Sequence, residues 1–216
     1  MELILHEIEV RVLGSLLEKE LATPEYYPLS LNALQNACNQ KTNREPVVAY
    51  DEKTVARALE GLREKQLAEV TGAGRVPKYG ENLLKATNLL KSEAAALCVL
   101  LLRGPQTAGE VKGRTDRMHR FASLAEVESS LQVLEQLGFT RKLPRQPGQK
   151  ESRYAHLLMG EVAAAPEASL PPTEPVMREV RAENERLAKL EQDLESLRRD
   201  FEELKEAFLD FKKQFE

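Results

Sequence analysis

The sequence predicts a mainly α fold with small β-hairpins (α+β). Three observations in the 216 residues predict it. Residues 91–158 read as three helices followed by a hairpin, from apolar positions at helical spacing and then two short strands around a loop. The same pattern occurs once earlier. Val55, Leu59, Leu62 and Leu67 fall on Val127, Leu131, Leu134 and Phe139 at one constant offset. Glu9, Leu13, Leu16 and Leu17 fall on Glu93, Leu97, Leu100 and Leu101 at a larger one, so the first copy carries extra residues, for which Lys41–Tyr50 is the candidate segment. Apolar heptads behind an Ala/Pro-rich stretch close the chain. Three helices and a hairpin are the layout of a winged-helix domain, so the expectation is two tandem winged-helix domains (1–85 and 86–160), a linker (161–175) and a C-terminal coiled-coil helix (176–216).

In the first copy, Ile8, Val12, Leu13, Leu16 and Leu17 make one face of a helix that ends near Ala22, ahead of Thr23-Pro24. Ser30 caps a second helix, in which Leu31, Leu34 and Cys38 face inward, and Asp51 or Thr54 caps a third. Residues 67–79 then form a hairpin around Gly72-Ala73-Gly74. Those glycines do not make a phosphate loop. No Gly-x-Gly-x-x-Gly or Gly-Lys-Ser/Thr is present, and a phosphate loop would open a helix where a strand is predicted here.

In the second copy, Ala94–Leu102 is too apolar all round for a surface helix; Ser92 is its expected cap and Gly104-Pro105 its stop. Thr107 caps a short helix through about Arg117, and Ser123 caps a third, which Gly138 ends. Residues 139–143 and 152–157 are two short strands around the basic loop 144–150, the expected wing.

With Val180 at position a, the heptad seam runs through Leu187, Leu190, Leu194, Leu197, Phe201, Leu204, Phe208 and Phe211. In a parallel pair, Arg186 meets Glu191, Asp193 meets Arg198 and Asp200 meets Lys205, all attractive, which predicts a homodimer. Leu at a and d does not fix strand number, and the same seam suits a helix folded back on its own domains.

Composition narrows the function. With 42% hydrophobic and 5% aromatic residues, the chain suits two small cores plus something extended. The net charge of −4 argues against a nonspecific nucleic-acid coat, but the distribution is uneven. Residues 91–160 hold eleven Lys and Arg against seven Asp and Glu, whereas the segments on either side are net acidic. The N-terminal residues do not read as a signal peptide and no segment approaches a membrane span, so a cytoplasmic protein is expected. Cys38 and Cys98 are isolated and read as small buried hydrophobes, with neither a disulfide nor a metal site. His6, His119 and His156 are scattered and no catalytic motif is present, so the expectation is a protein without cofactor or enzymatic activity.

The candidate nucleic-acid-binding residues are cations. In the second domain they are Lys112, Arg114, Arg117 and Arg120 after the second helix, and Arg141, Lys142, Arg145, Lys150 and Arg153 in the hairpin. Lys41, Arg44 and Arg57 form a second, weaker patch in the first domain. On one surface such cations would neutralise phosphates while the wing lies along a groove. The third helix of the second domain opposes this, because it holds Glu126, Glu128 and Glu135 without a cation. Ser129, Gln132 and Gln136 remain as its base-reading candidates.

The segments Asn36–Val47 and Leu102–Glu110 resemble the YceH-like family of bacterial proteins, a likeness that covers roughly Glu7 to Leu158. The resemblance implies two winged-helix domains and brings no catalytic residue or ligand with it. The resulting expectation is a DNA-binding protein, a dimeric transcriptional regulator that presents paired basic wings to double-stranded DNA. The alternative is a protein-interaction module, similar in layout to the segregation and condensation protein B family, whose winged helices grip a protein partner.

Overall fold

Each half of the described chain runs helix, helix, helix, hairpin. The computed structural model describes residues 4–71, 76–145 and 148–160. The first half comprises α1 (Glu7–Ala22), α2 (Leu31–Cys38), α3 (Glu52–Glu64), β1 (Ala68–Thr71) and β2 (Lys78–Glu81). A short helix absent from the sequence reading, α4 (Leu83–Thr87), leads to α5 (Lys91–Arg103), α6 (Ala108–Thr115), α7 (Leu124–Gln136), β3 (Thr140–Lys142) and β4 (Tyr154–His156). Both hairpins are antiparallel, with Ala68 opposite Glu81 and Thr140 opposite His156. The class is therefore mixed α and β with small hairpins. The expected linker (161–175) and coiled coil (176–216), with all of Leu187–Phe211, lie outside the described residues.

The repeat shows in the caps. The His6 N–H donates to Glu9 Oε2 at 2.8 Å, and the Leu90 N–H to Glu93 Oε2 at 2.7 Å. These paired glutamates satisfy donors that a helix start leaves orphaned. Ser92 consequently sits inside the first turn of α5 and does not cap it, because Glu93 has closed on Leu90. The side chains of Ser30, Asp51, Thr107 and Ser123 each accept from a backbone N–H three residues on, as expected of N-caps; at α3 the cap is Asp51, not Thr54. Gly104 and Gly138 take positive φ values of 69° and 78° at the helix ends.

The hairpins repeat as well. Leu29, ahead of α2, exchanges backbone hydrogen bonds with Tyr79 at 3.0 and 2.7 Å, and Gln106, ahead of α6, does the same with Tyr154 at 3.0 and 2.7 Å. Each hairpin thus gains one bridging residue from the segment before its second helix.

The halves share their packing. Sequence periodicity gives α1 one apolar face, yet Gly14 is buried too, because α5 covers a second side, and Arg11 is buried where it reaches the Pro46 carbonyl of the segment after α2. Leu17 and Leu21 pack with Ala94, Ala95, Cys98 and Leu102 in this seam. Both cysteines are buried free thiols. Gly14 lets the helices approach: a Cβ there would stand 2.9 Å from Leu102 Cδ2 and 3.1 Å from Leu101 Cβ. Each fully buried leucine in this core contributes about 1.5–3 kcal/mol.

The additional segment of the first half, residues 41–50, has no regular secondary structure and is pinned at several points. Asn39 accepts from the Tyr50 N–H at 2.8 Å and donates to the Tyr50 carbonyl at 2.7 Å. Arg11 donates to the Pro46 carbonyl at 2.6 Å, and the Glu45 N–H to the Leu102 carbonyl at 2.9 Å. The last bond ties the segment to α5.

Candidate nucleic-acid interface

The second hairpin alternates as a short strand should. Thr140 is buried, its hydroxyl donating to the Leu131 carbonyl at 3.3 Å, while Arg141 and Lys142 are exposed. The Lys142 ammonium stands 5.5 Å from the Tyr154 ring centroid, within cation–π range. Arg145 and Lys150 are exposed in the loop. His156 adds no charge, since burial pushes its pKa down to about 4.

Arg153 faces the other way. It donates to Glu110 Oε2 at 2.9 Å and to the Pro105 carbonyl at 2.8 Å, fastening β4 to the start of α6. Glu110 also accepts from the Thr107 N–H at 2.8 Å. Burial alone would raise its pKa, but the Thr107 N–H, Arg153 and Arg114 outweigh that and hold its carboxyl below the ordinary value. Arg153 is a fastener of the hairpin and leaves the set of wing cations available to a ligand.

Two of the opposing carboxylates on α7 are engaged. Glu126 accepts from the Ala122 N–H at 2.8 Å and lies 3.5 Å from His119, which together hold its pKa below the usual value. Glu135 accepts from the Lys142 N–H at 3.0 Å. Glu128 is exposed beside Ser129, Gln132 and Gln136. The cations expected after the second helix fall partly on it: Lys112, in the last turn of α6, donates to the Ala122 carbonyl at 3.2 Å, and beyond the helix Arg117 and Arg120 are exposed.

The patch expected in the first half does not form. The Arg44 side chain is enclosed, donating to Glu18 at 2.6 and 3.1 Å and to the Ala37 carbonyl at 2.9 Å. Burial would raise the Glu18 pKa, yet the hydrogen bond and charge of Arg44 bring it below the ordinary value. Arg44 is therefore a structural crosslink. Arg57 is exposed on α3 and borders a depression shared with His6, Glu9 and Lys65, whereas Lys41 borders a different cleft with Arg114 and Arg117. Lys19 and Arg103 line that cleft as well. Sequence reading missed both, because each sits on a helix read only for its apolar face. Among the described residues, no cluster of His, Cys, Asp or Glu suits a metal ion, and no helix is long and apolar enough to cross a membrane.

A family model described as a protein of unknown function, DUF480, matches residues 5–149. The chain belongs to the DUF480 family. Its DUF480 relatives include a UPF0502 protein of Geobacter sulfurreducens, 53% identical with all of both chains covered. A UPF0502 protein of Geotalea daltonii is 55% identical, again over all of both chains. One from Solibacter usitatus is 53% identical over 88% of this chain and 90% of its own. The likeness thus extends past Leu158, where the motif resemblance stopped, and covers the C-terminal segment as well.

Proposed function

We propose that each half is a winged-helix domain, and that the protein binds double-stranded DNA through the second hairpin, acting as a dimeric transcriptional regulator. The observation that supports this reading is the hairpin itself. It exposes Arg141, Lys142, Arg145 and Lys150, while the neighbouring Glu135 and Glu110 are occupied by a backbone N–H and by Arg153. Such a wing would neutralise phosphates along the duplex, and Ser129, Gln132 and Gln136 on α7 are the residues offered to base edges. Dimerisation through the Leu187–Phe211 seam would double the phosphate contacts.

The test is fluorescence-anisotropy binding to mixed duplex DNA from about 50 to 200 mM salt, a range over which several phosphate contacts change affinity by orders of magnitude. Wild type is expected to bind with a steep salt dependence, and Arg145→Glu with Lys150→Glu to lose binding while keeping its fold. Equal retention of the variant on DNA sinks the wing reading. In the same series, Leu194→Asp with Phe201→Asp is expected to sediment as a monomer and to bind more weakly.

A second reading, a protein-interaction module, is favoured by α7. Its exposed surface holds Glu128 without a cation, and Leu124 and Leu137 at its two ends are 49% and 52% exposed. Absence of DNA binding at the lowest salt, together with capture of a protein partner that Glu128→Lys abolishes, would select this reading.

A further inference from the structure

Where the end of α1, the loop after α2, the end of α5 and α6 come together, a cleft of about 320 Å³ is lined by Lys19, Lys41, Arg103, Arg114 and Arg117. Glu18 is the one carboxylate among the lining residues, and Arg44 and Lys19 already engage it at 2.6 and 3.1 Å. The cleft is therefore strongly positive. Burial, and then the nearby guanidiniums of Arg114 and Arg44, pull the Arg103 pKa below its ordinary value against the opposing charges of Glu45 and Glu18.

Donors in the cleft are underused. Arg114 Nη1 is shut off from solvent without a hydrogen-bond partner among the described residues, and Arg114 Nη2 lies 3.9 Å from Glu110, beyond hydrogen-bond range. The Arg114 side chain as a whole is 30% exposed, so an oxyanion in the cleft would meet its solvent-facing N–H groups and supply the hydrogen bond that Glu110 does not. Arg103 is held by the Asn43 side chain, and Asn43 itself has a positive φ of 62°. Beside the cations, the wall includes the half-buried apolar side chains of Ala22 and Met118.

We propose that this cleft binds a small phosphate-bearing organic molecule, its phosphate taken by Arg103, Arg114 and Arg117 and its apolar part placed against Ala22 and Met118. Guanidinium forks match phosphate oxygens in pairs, and several of them around one point suit a dianion better than a single carboxylate. The volume is that of a small-ligand site. A duplex backbone contacts cations spread along a surface, whereas these cations converge on one cleft.

The test uses the full-length protein and inorganic pyrophosphate as the probe of the phosphate end, followed by calorimetry. One-to-one binding is expected. Arg114→Gln with Arg117→Gln should weaken it by about tenfold or more, equivalent to about 1.4 kcal/mol, with thermal unfolding confirming the fold. Lys41→Gln, in an exposed loop, should weaken it a few-fold, and Arg145→Glu with Lys150→Glu should leave it unchanged. Three outcomes overturn the proposal: no binding at about 1 mM pyrophosphate, equal binding by the Arg114/Arg117 variant, or an equal loss in the hairpin variant, which would indicate diffuse charge. Displacement of pyrophosphate by duplex DNA would also overturn it, assigning the cleft to the nucleic-acid path. Failure of the wing reading leaves this proposal standing, because the two rest on separate residues.

Discussion

Arg44 Nη2 lies 2.6 Å from Glu18 Oε2, with the Arg44 side chain fully enclosed and that of Glu18 13% exposed. This pair ties the segment after α2 to the end of α1. Breaking a buried pair from one side costs about 3–5 kcal/mol, since it strands the other charge. Lys19, 3.1 Å from the same carboxylate, softens the loss. Arg44→Met should therefore destabilise the protein toward the lower end of that range in urea unfolding, with DNA affinity of the folded fraction unchanged. A stable variant with weakened DNA binding would restore Arg44 to the interface.

Gly14 and Gly113 are both helical glycines, and their surroundings predict opposite outcomes. A Cβ at Gly14 meets Leu102 and Leu101 across the α1–α5 seam, whereas one at Gly113 has nothing within 4 Å. Gly14→Val should destabilise by about 1–3 kcal/mol through overpacking. Gly113→Ala should stabilise by roughly 0.5–1 kcal/mol, because it removes glycine's conformational entropy from an exposed helix. Thermal unfolding of the two variants side by side checks the seam; equal effects would mean that α1 and α5 do not approach this closely.

Glu81 sets a pH dependence. It is 4% exposed, and burial together with the neighbouring Glu20 carboxyl raises its pKa from 4.5 to about 8, against the opposing N–H groups of Leu84 and Leu83. A carboxyl raised in the folded state favours the protonated form. Its stabilisation is complete below pH 4.5 and is lost as pH rises toward 8, at up to about 1.4 kcal/mol per pH unit. Glu81→Gln, which stays neutral and can still accept from the Leu84 N–H, should flatten this decline and exceed wild type in stability above pH 8. A decline equally steep in the variant would place the titration elsewhere.

The helices, their caps and the internal repeat were legible in the sequence because they follow from local rules. Apolar spacing marks the faces, and Ser30, Asp51, Thr107 and Ser123 precede helices at cap positions. Ser92 was misjudged because Ser and Glu both offer a cap within one turn, and the chain uses Glu93. The basic hairpin, with Arg145 and Lys150 exposed, was also legible, since a short loop leaves its cations few partners.

What became of the remaining cations was decided by tertiary structure alone. Whether an arginine is a surface charge or a crosslink depends on what lies opposite it, and the partners of Arg44 and Arg153 are Glu18 and Glu110, 26 and 43 residues away. The cleft joining Lys19, Lys41, Arg103, Arg114 and Arg117 has the same origin. The sequence by itself determined two copies of one helical and hairpin pattern and a basic loop, because periodicity and capping act within a few residues. The tertiary structure decided which charges are spent and which are gathered, because α1 and α5 pack closely across Gly14 and bring distant side chains within the few ångströms over which ion pairs and hydrogen bonds act.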